Sequence, residues 1–543
     1  MAAARALACE DILIELFKNL ALGPVPVHGT PKRFAEARKA GKNTLACSAR
    51  VCHAFSGPAL KVLWRTIWDI ECLFRILPSY DRGAGKKMLT SMPTEKDWAR
   101  FEEYASRIEE LYRGYDSWNS AIWTVIAHRN GASIPLLPRL RRLELPVGKH
   151  TPHMMLLISP ALKHLQLHFQ DGSEASWDFV ADGLRATADS LCSLSIRTAR
   201  IVATRTSEPI PSNWHLTQLQ ILCLEDIPDL TPPMLEHLSS LPCLRDLTLR
   251  YGWDDDTEFE DVVRYPLPLV EKIRLSSTLP GLANVLGVVS FAALSSLEFE
   301  AWYYCHILDI AISTDLPPIL SALPSGLRRL HVAIACISCD DKHHLEPAGV
   351  FATLAQSQPG LEDVSFTFQG FLGHLNTNEM LLAAAGSWPN LTSYRLAFQF
   401  GSDSVHRPTN RNTPPWYRRR DGSLPSVATL IRFAESHPRL RHLHLPGIDM
   451  CGSLPSRRTF VPALNHGLRS LDLSFLQQDR PLFELALILD KLFPNLDLTG
   501  AEDFAVVSSH SSGDPDLTIH MLHTILLALQ IGRRHPHGLD AEL

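Results

Sequence analysis

The sequence predicts an α/β fold: a solenoid of about 13 irregular strand–helix repeats that follows a small three-helix module. The first observation behind this prediction is a recurring phrase, Pro-x-Leu-x-x-Leu-x-Leu, whose four near-copies end at Leu145, Leu167, Leu249 and Leu445. The second is that segments with apolar residues at helical spacing separate the phrases. Because the end of each phrase alternates as a strand does, each repeat should contain a strand, a turn and a helix.

Looser copies of the phrase extend the pattern along most of the chain. They end at Ile196, Leu224, Leu275, Phe299, Val332, Phe366, Leu396, Leu473 and Leu498. Apart from one longer step, successive phrase ends are 22 residues (Leu145 to Leu167) to 34 residues (Val332 to Phe366) apart, and leucine-rich repeats recur every ~20 to 29 residues. One repeat cannot bury its own apolar face, so neighbours must stack and share a core. The phrase leucines should therefore point inward and the residues between them outward.

The phrases divide the chain into four segments. These are a helical module at 8–69 with an insert at 23–43, a connector at 70–104, the leucine-rich repeats at 105–500 with an insert at 402–425, and a tail at 501–543. In the repeat segment, Ile108–Leu111 should form a degenerate first strand. In the tail, Leu517–Ile531 should form a helix that covers the open end of the solenoid.

The N-terminal module should consist of three short helices. Apolar spacing predicts them at Ile12–Leu20, at Leu45–Phe55 and, after a break at Gly57-Pro58, at Ala59–Ile67. The insert between the first two helices is polar and basic. Three such helices are too small to be stable alone, so we expect a partner to cover them.

The composition favours a folded protein without a strong overall charge. Lys+Arg 52 against Asp+Glu 58 gives a net charge of −6, so no global field draws the chain to nucleic acid or membranes. The most apolar internal stretch, 282–297, is shorter than a membrane span. The 11 cysteines are scattered and do not suggest a disulfide framework. We therefore expect a soluble protein of the cytoplasm, the nucleus or both.

No pattern in the sequence indicates a catalytic or cofactor-binding site. Cys336-x-x-Cys339 followed by His343-His344 has the residue types of a zinc site, but the spacing is tighter than in most Cys/His sites. An acidic run at 254–261 is best interpreted as a solvated loop, with cation or basic-peptide binding as the alternative. The Arg- and Pro-rich insert at 402–425 is best interpreted as disordered, with phosphate or acidic-peptide binding as the alternative. We expect no bound metal, no cofactor and no enzymatic activity.

Two stretches of the module carry a more specific pattern. The apolar residues of the first helix and the run Arg50-Val51-Cys52, followed by further apolar residues up to Trp64, resemble the two halves of an F-box. The run from Asp97 to Ile108 is similar to the connector of fungal F-box and leucine-rich repeat proteins. The resemblance implies that the module binds a Skp-type adaptor of SCF-type cullin ubiquitin ligases. The implied adaptor-binding residues are Ile12, Leu13, Leu16, Phe17, Leu20, Val51, Cys52, Phe55, Leu60, Leu63 and Trp64.

The resemblance also implies a non-catalytic substrate receptor that recruits a protein on the concave face of the repeats. Many outward residues of neighbouring phrases are basic, so the substrate surface should be acidic. The candidate residues are Arg141, Arg142, Lys163, His164, Arg245, Lys272, Arg328, Arg329, Arg441 and His442. The alternative is a scaffold that keeps the repeats but no longer binds the adaptor, because Ala8-Cys9 replaces the family's opening Leu-Pro and the insert separates two helices.

Overall fold

Two units make up the fold. Unit 1 comprises Met1–Pro228 and Ser240–Leu244, and unit 2 comprises Asp229–Ser239 and Arg245–Leu543. The computed structural model describes residues 9–21, 31–81, 88–112, 120–131, 134–147, 156–169, 184–185, 187–198, 216–227, 230–252, 264–303, 316–336, 344–345, 348–369, 374–399, 424–450, 466–474, 476–477, 482–498 and 515–534.

Between residues 272 and 445, a helix separates each strand of four or more residues from the next such strand, as the repeat pattern predicts. The helices are α1 (Glu10–Lys18), α2 (Pro31–Ser48), α3 (His53–Arg65), α4 (Glu71–Phe74), α5 (Glu95–Ala105), α6 (Ser120–Asn130), α7 (Pro232–Ser239), α8 (Leu279–Val288), α9 (Leu316–Ser321), α10 (Ala348–Ser357), α11 (Thr377–Ala384), α12 (Val427–Ser436), α13 (Leu482–Leu492) and α14 (Pro515–Arg534). The strands are β1 (Thr66–Ile67), β2 (Tyr80–Asp81), β3 (Met88–Leu89), β4 (Glu110–Leu111), β5 (Arg142–Val147), β6 (His164–Phe169), β7 (Ser193–Arg197), β8 (Ile221–Ile227), β9 (Asp246–Tyr251), β10 (Tyr265–Leu267), β11 (Lys272–Ser277), β12 (Val289–Phe291), β13 (Ser296–Tyr303), β14 (Arg329–Cys336), β15 (His344–Leu345), β16 (Asp363–Gln369), β17 (His374–Leu375), β18 (Ser393–Gln399), β19 (His442–Leu445), β20 (Ile448–Asp449), β21 (Ser470–Leu473) and β22 (Leu476–Gln477).

Six strands of unit 1 form a parallel sheet in the order β1-β4-β5-β6-β7-β8. The phrase leucines meet across this sheet: Leu143 lies opposite Leu165, and Leu145 lies opposite Leu167. All four are buried, whereas the residues between them are partly accessible to solvent. The predicted strands and their inward-facing leucines are therefore confirmed in this unit.

Eight strands of unit 2 form a parallel sheet in the order β9-β11-β13-β14-β16-β18-β19-β21. The phrase ends from Leu249 to Leu473 lie in these strands, as predicted. The prediction is wrong for Leu498, which lies in no strand. Helix α14 packs against α13 beside this last turn, and Gln530 Nε2 donates to the Leu496 carbonyl at 3.1 Å.

A repeated backbone contact fixes the register within each sheet. The carbonyl of the outward residue before a strand accepts N–H groups from two consecutive residues of the next repeat. The Arg141 carbonyl accepts from Lys163 and His164, both at 2.9 Å, and the Arg328 carbonyl accepts from Glu362 at 2.8 Å and from the residue after it. Outward side chains at equal phrase positions therefore lie side by side.

The sheet of unit 1 begins earlier in the chain than the sequence predicts. The expected first strand at Ile108–Leu111 forms β4, but β1 precedes it at the sheet edge, where Ile67 pairs with Leu111. The predicted third helix therefore ends at Arg65. Two residues are too few to show strand periodicity, and Ile67 falls at helical spacing from Leu63, which explains the error.

The helices of the module also have different ends from those predicted. Helix α2 begins at Pro31 and takes up the second part of the predicted insert 23–43. The chain leaves helical conformation at 49–52, and α3 then runs through Gly57-Pro58 without a break, with the proline ring buried. Periodicity could not reveal the start of α2, because Leu45 is the one fully buried residue among its described side chains. Burial of the proline offsets the hydrogen bond that it cannot make.

A small apolar core holds the three module helices together. Its buried members are Leu13 and Phe17 from α1, Leu45 from α2, and Ala59 and Val62 from α3. The Phe55 ring adds an edge-on contact with the Phe17 ring at a centroid distance of 5.7 Å. Each helix thus contributes at least one side chain to a common core.

His437 and His466 are buried in the core of unit 2. His466 Nδ1 accepts the N–H of Leu468 at 3.2 Å, and its Nε2 lies 3.1 Å from the Ala434 carbonyl. The neutral ring with its proton on Nε2 satisfies both contacts. Burial lowers the pKa of both histidines below the ordinary value.

We predict that Gly41→Ala destabilises the module. A Cβ at Gly41 would lie 2.4 Å from the backbone oxygen of Leu20, and that atom cannot move without displacing the end of α1. The expected loss is about 1–3 kcal/mol, measured as a lower unfolding temperature and faster proteolysis of α1. The control is Gly57→Ala in α3, where a Cβ meets nothing within 4 Å. Equal stability of Gly41→Ala and the wild type would contradict this packing.

We predict that unit 2 loses stability as the pH falls below about 6.5. The folded state binds a proton on His466 more weakly than the unfolded state does, because the pKa is lowered by burial, so acid favours unfolding. Above that pH, the stability that unit 2 gains from its neutral, buried His466 is fully present. His466→Asn retains an acceptor for the Leu468 N–H but does not titrate, and denaturant unfolding should show a weaker pH dependence for it. An unchanged pH dependence would show that His466 is not responsible.

Candidate functional site

Large apolar side chains are exposed on the helical module. Ile12 and Leu16, one turn apart on α1, are 43% and 50% exposed, and Leu20, just beyond the helix, is 38% exposed. In the turn before α3, Val51 is 68% exposed, and the neighbouring Cys52 is also exposed. We call Ile12, Leu16, Leu20 and Val51 the apolar docking residues, since exposed large apolar residues often mark a site that another molecule covers.

Four other predicted adaptor-binding residues belong to the module core or pack against it. Leu13 and Phe17 are 1% and 6% exposed and belong to the core, so they are not accessible to a partner. Phe55 and Leu63 pack against that core, and Leu60 is half-buried. The structure therefore separates the apolar residues of α1 into an inner face and an outer face.

Trp64 has a neighbour beyond the three helices. Its ring lies 4.8 Å from the ring of Tyr104, the last aromatic residue of α5. Just after β1, the Trp68 ring stacks on Tyr112 at 4.6 Å, and the Arg38 guanidinium of α2 lies 4.3 Å from the Trp68 ring centre. These aromatic contacts join the module to the first strands of unit 1. Periodicity could not signal them, because the partners are far apart in the chain.

Several outward arginines are paired with carboxylates of the adjacent strand or repeat. In unit 2 the pairs are Arg245 with Glu271 (3.2 Å), Arg274 with Glu298 (2.7 Å) and Arg328 with Glu362 (3.7 Å). In unit 1, Arg197 pairs with Glu225 in the same way. The prediction of a basic face overlooked these carboxylates. Their signal was available, since Glu271 and Glu362 occupy the phrase position of Arg245 and Arg328 one repeat later.

The other candidate substrate-binding residues of unit 2 have mixed surroundings. Lys272 lies opposite Asp246 on the neighbouring strand. Arg329, Arg441 and His442 are exposed on the outward side of their repeats. The basic candidates of this unit are therefore partly neutralised and partly accessible.

The four candidates of unit 1 lie on two adjacent repeats. Arg142 is opposite His164, and Lys163 follows Arg141 at the preceding position. Arg141 and Lys163 are exposed, and the other two are half-buried. Burial, together with the Arg142 and Lys163 cations, lowers the pKa of His164, and the Glu110 carboxylate opposes this only in part. We call Arg141, Arg142, Lys163 and His164 the basic block.

The remaining sequence motifs fall mostly outside the described residues. This holds for Cys339, for His343, for the acidic run 254–261 and for most of the insert 402–425. Among the residues that the structure does describe, no group of three or more His, Cys, Asp or Glu could hold a metal ion. Over the same ranges, every helix is too short or too polar to cross a lipid bilayer.

Comparison with known proteins gives a similarity at the level of solved structures. No protein-family model matches the chain, and no curated protein is significantly similar to it. Among solved structures, the leucine-rich repeat-containing protein LegL7 from Legionella pneumophila is similar at 14% identity and a TM-score of 0.32. The match covers 53% of this chain and 83% of that chain. The leucine-rich repeat architecture rests on the chain's own phrases and parallel strands.

We predict opposite outcomes for two leucine positions of α1. Leu13→Ala removes a core side chain and should cost ~2–5 kcal/mol of stability. Leu16→Ala changes an exposed side chain and should cost within about 0.5 kcal/mol. Hydrogen exchange of the α1 amides, compared between the variants, measures the difference. Similar losses for both variants would mean that the inner and outer faces of α1 are assigned wrongly.

Proposed function

We propose that the chain is the substrate-recognition subunit of an SCF-type cullin ubiquitin ligase. In this role the helical module binds a Skp-type adaptor, and the outward face of the repeats recruits a protein for ubiquitination. The subunit itself catalyses no reaction and needs no cofactor. It would act in the cytoplasm, the nucleus or both.

The observation that carries the proposal is the outer face of the module. Ile12 and Leu16 share one side of α1, and Val51 is exposed although smaller apolar residues of α3 are buried. A module that already has its own core has no internal use for these side chains. Their exposure is consistent with a protein partner, and the F-box resemblance of the same residues identifies the class of that partner.

The repeats support the second half of the proposal. Their outward side chains are arranged in fixed columns, because the backbone contacts align successive strands. Repeat proteins use extended surfaces of this kind for binding. Polar and charged groups on a rigid sheet are suited to recognising a folded protein or a peptide segment.

The alternative function is a leucine-rich repeat scaffold that no longer binds the adaptor. One structural observation favours it: Cys9 occupies the N-cap of α1 and its side chain makes no capping hydrogen bond. A helix without a cap is less stable at its start. Weaker order at the start of α1 would reduce the affinity of the neighbouring Ile12 for a partner.

Adaptor binding by the full chain separates the two functions. We predict that the intact protein co-purifies with a co-expressed Skp-type adaptor and that Leu16→Ala with Val51→Ala weakens binding about 100-fold or more. Each change removes apolar surface that the adaptor would bury, worth ~0.8 kcal/mol for each methylene group. Calorimetric titration of purified protein with adaptor measures the affinities.

The matched control is Met92→Ala with Ile134→Ala. Both residues are apolar and exposed in unit 1, at 72% and 58%, but neither belongs to the module. This control should bind the adaptor as the wild type does. If the folded wild-type chain fails to bind the adaptor at all, the scaffold function replaces the receptor function.

A further inference from the structure

The cross-strand ion pairs leave some outward cations paired with a carboxylate and others without such a pair. Arg245, Arg274 and Arg328 each have a carboxylate within 3.7 Å. The carboxylate partner neutralises part of the charge of each arginine, so these positions attract another anion less strongly. Any acidic ligand should prefer cations that lack such a partner.

The basic block is a compact group of three cations and one imidazole on two adjacent repeats. Arg141 and Lys163 are exposed and side by side, and Arg142 and His164 face each other across β5 and β6. On the next strand, β7, the residue opposite His164 is Ser193, and its side chain is uncharged. Neighbouring strands lie about 4.8 Å apart, so the four groups can contact one bound segment.

Two carboxylates of the preceding repeat, Glu109 and Glu110, are already engaged by Arg65. Its guanidinium lies 3.1 Å from Glu109 and 3.7 Å from Glu110. Glu110 also accepts hydrogen bonds from Thr66 Oγ1 at 3.1 Å and from the Tyr112 hydroxyl at 3.3 Å. These bonds engage both carboxylates from the side of α3 and β1, while Glu110 also lies opposite Arg142 of β5.

Arg142 is positioned by an aromatic group instead of a carboxylate. Its Nη1 lies 3.3 Å from the Tyr112 hydroxyl oxygen, and Tyr112 is fixed by stacking on Trp68. The guanidinium therefore has a defined place, held by a neutral phenol that also contacts Glu110. A preordered cation binds an anionic group at a smaller entropic cost than a mobile one.

We propose that the basic block of unit 1 binds an acidic segment of the protein that this chain recruits. The proposal rests on the proposed function, since it names the chemistry of the recruited partner and the place where it docks. Consecutive Asp or Glu residues in an extended segment would meet the guanidinium, ammonium and imidazole groups of two repeats.

A protein segment fits this site better than a nucleic acid does. The block is small and has carboxylates beside it. Glu144 lies on β5, the strand of Arg142, and Glu110 lies on the neighbouring strand β4. A nucleic-acid backbone extends its charge over many nucleotides and would meet these carboxylates, which repel phosphate. A short acidic segment can end before it reaches them.

Fluorescence anisotropy with the full chain tests the proposal. The probe is a short labelled peptide of alternating glutamate and serine, and its matched control peptide carries glutamine in place of glutamate. We expect the acidic probe to bind and the control peptide not to bind, and we expect the affinity for the probe to fall as the salt concentration rises. Arg141→Glu with Lys163→Glu should weaken binding about ten-fold or more, because it places like charges opposite the probe.

Two further variants separate a local effect from a general one. Arg141→Gln with Lys163→Gln removes charge without reversing it and should give a smaller loss in the same direction. Lys96→Glu with Arg432→Glu changes the net charge as much as the double reversal does, at helical positions outside the basic block, and should leave binding unchanged. Circular dichroism verifies that each variant is folded.

Several outcomes would overturn the proposal. They are no binding of the acidic probe by the folded wild type, an equal loss for the Lys96 and Arg432 control, or tighter binding of a single-stranded oligonucleotide than of the probe. Adaptor titration of the same samples keeps the two proposals apart. Loss of adaptor binding with retained probe binding would refute the receptor function alone, and the reverse result would refute the acidic-segment site alone.

Discussion

Each sheet depends on one backbone interaction, the acceptance of two consecutive N–H groups by the carbonyl that precedes each strand. In unit 1, the Glu109 carbonyl accepts from the Arg141 N–H and the Arg141 carbonyl accepts from the Lys163 N–H. In unit 2, the Thr392 carbonyl accepts from the Arg441 N–H. A shift by one residue would turn the leucines to solvent and the charged residues to the core. The register is therefore fixed twice, by these bonds and by burial of the leucines.

This fixed register also determines the electrostatics of the outward face. Because equal phrase positions lie side by side, the charge of one repeat is compensated or left uncompensated by the next. Arg328 is compensated because the following repeat supplies Glu362. Arg141 is not compensated in this way, because the following repeat supplies Lys163 at the corresponding position. Charge patterning is therefore a property of pairs of repeats, and single phrases do not reveal it.

The strands could be predicted from the sequence because the phrase repeats a period of two with leucine at the buried positions. The outcome is different for Ile12–Leu20, where nearly every residue is apolar until the last turn and no polar face indicates which side is buried. Packing decides it: Leu13 and Phe17 turn inward while Leu16 stays outside. The start of α2 could not be predicted for the opposite reason: its residues are mostly polar and exposed, so the sequence there shows no apolar periodicity. The ion pairs can be predicted only when equal phrase positions of neighbouring repeats are compared.

The short strand β1 has a consequence for exchange of the module between related chains. Ile67 follows α3 by two residues and pairs with Leu111, so the end of the module supplies the edge strand of the sheet. A chain that began after β1 would expose the backbone of β4, and an unpaired edge invites association with other chains. Recombination that replaced residues 8–69 would therefore replace a part of the sheet as well. Such a replacement must match the repeats that follow it, which couples the inheritance of the module to that of its first repeats.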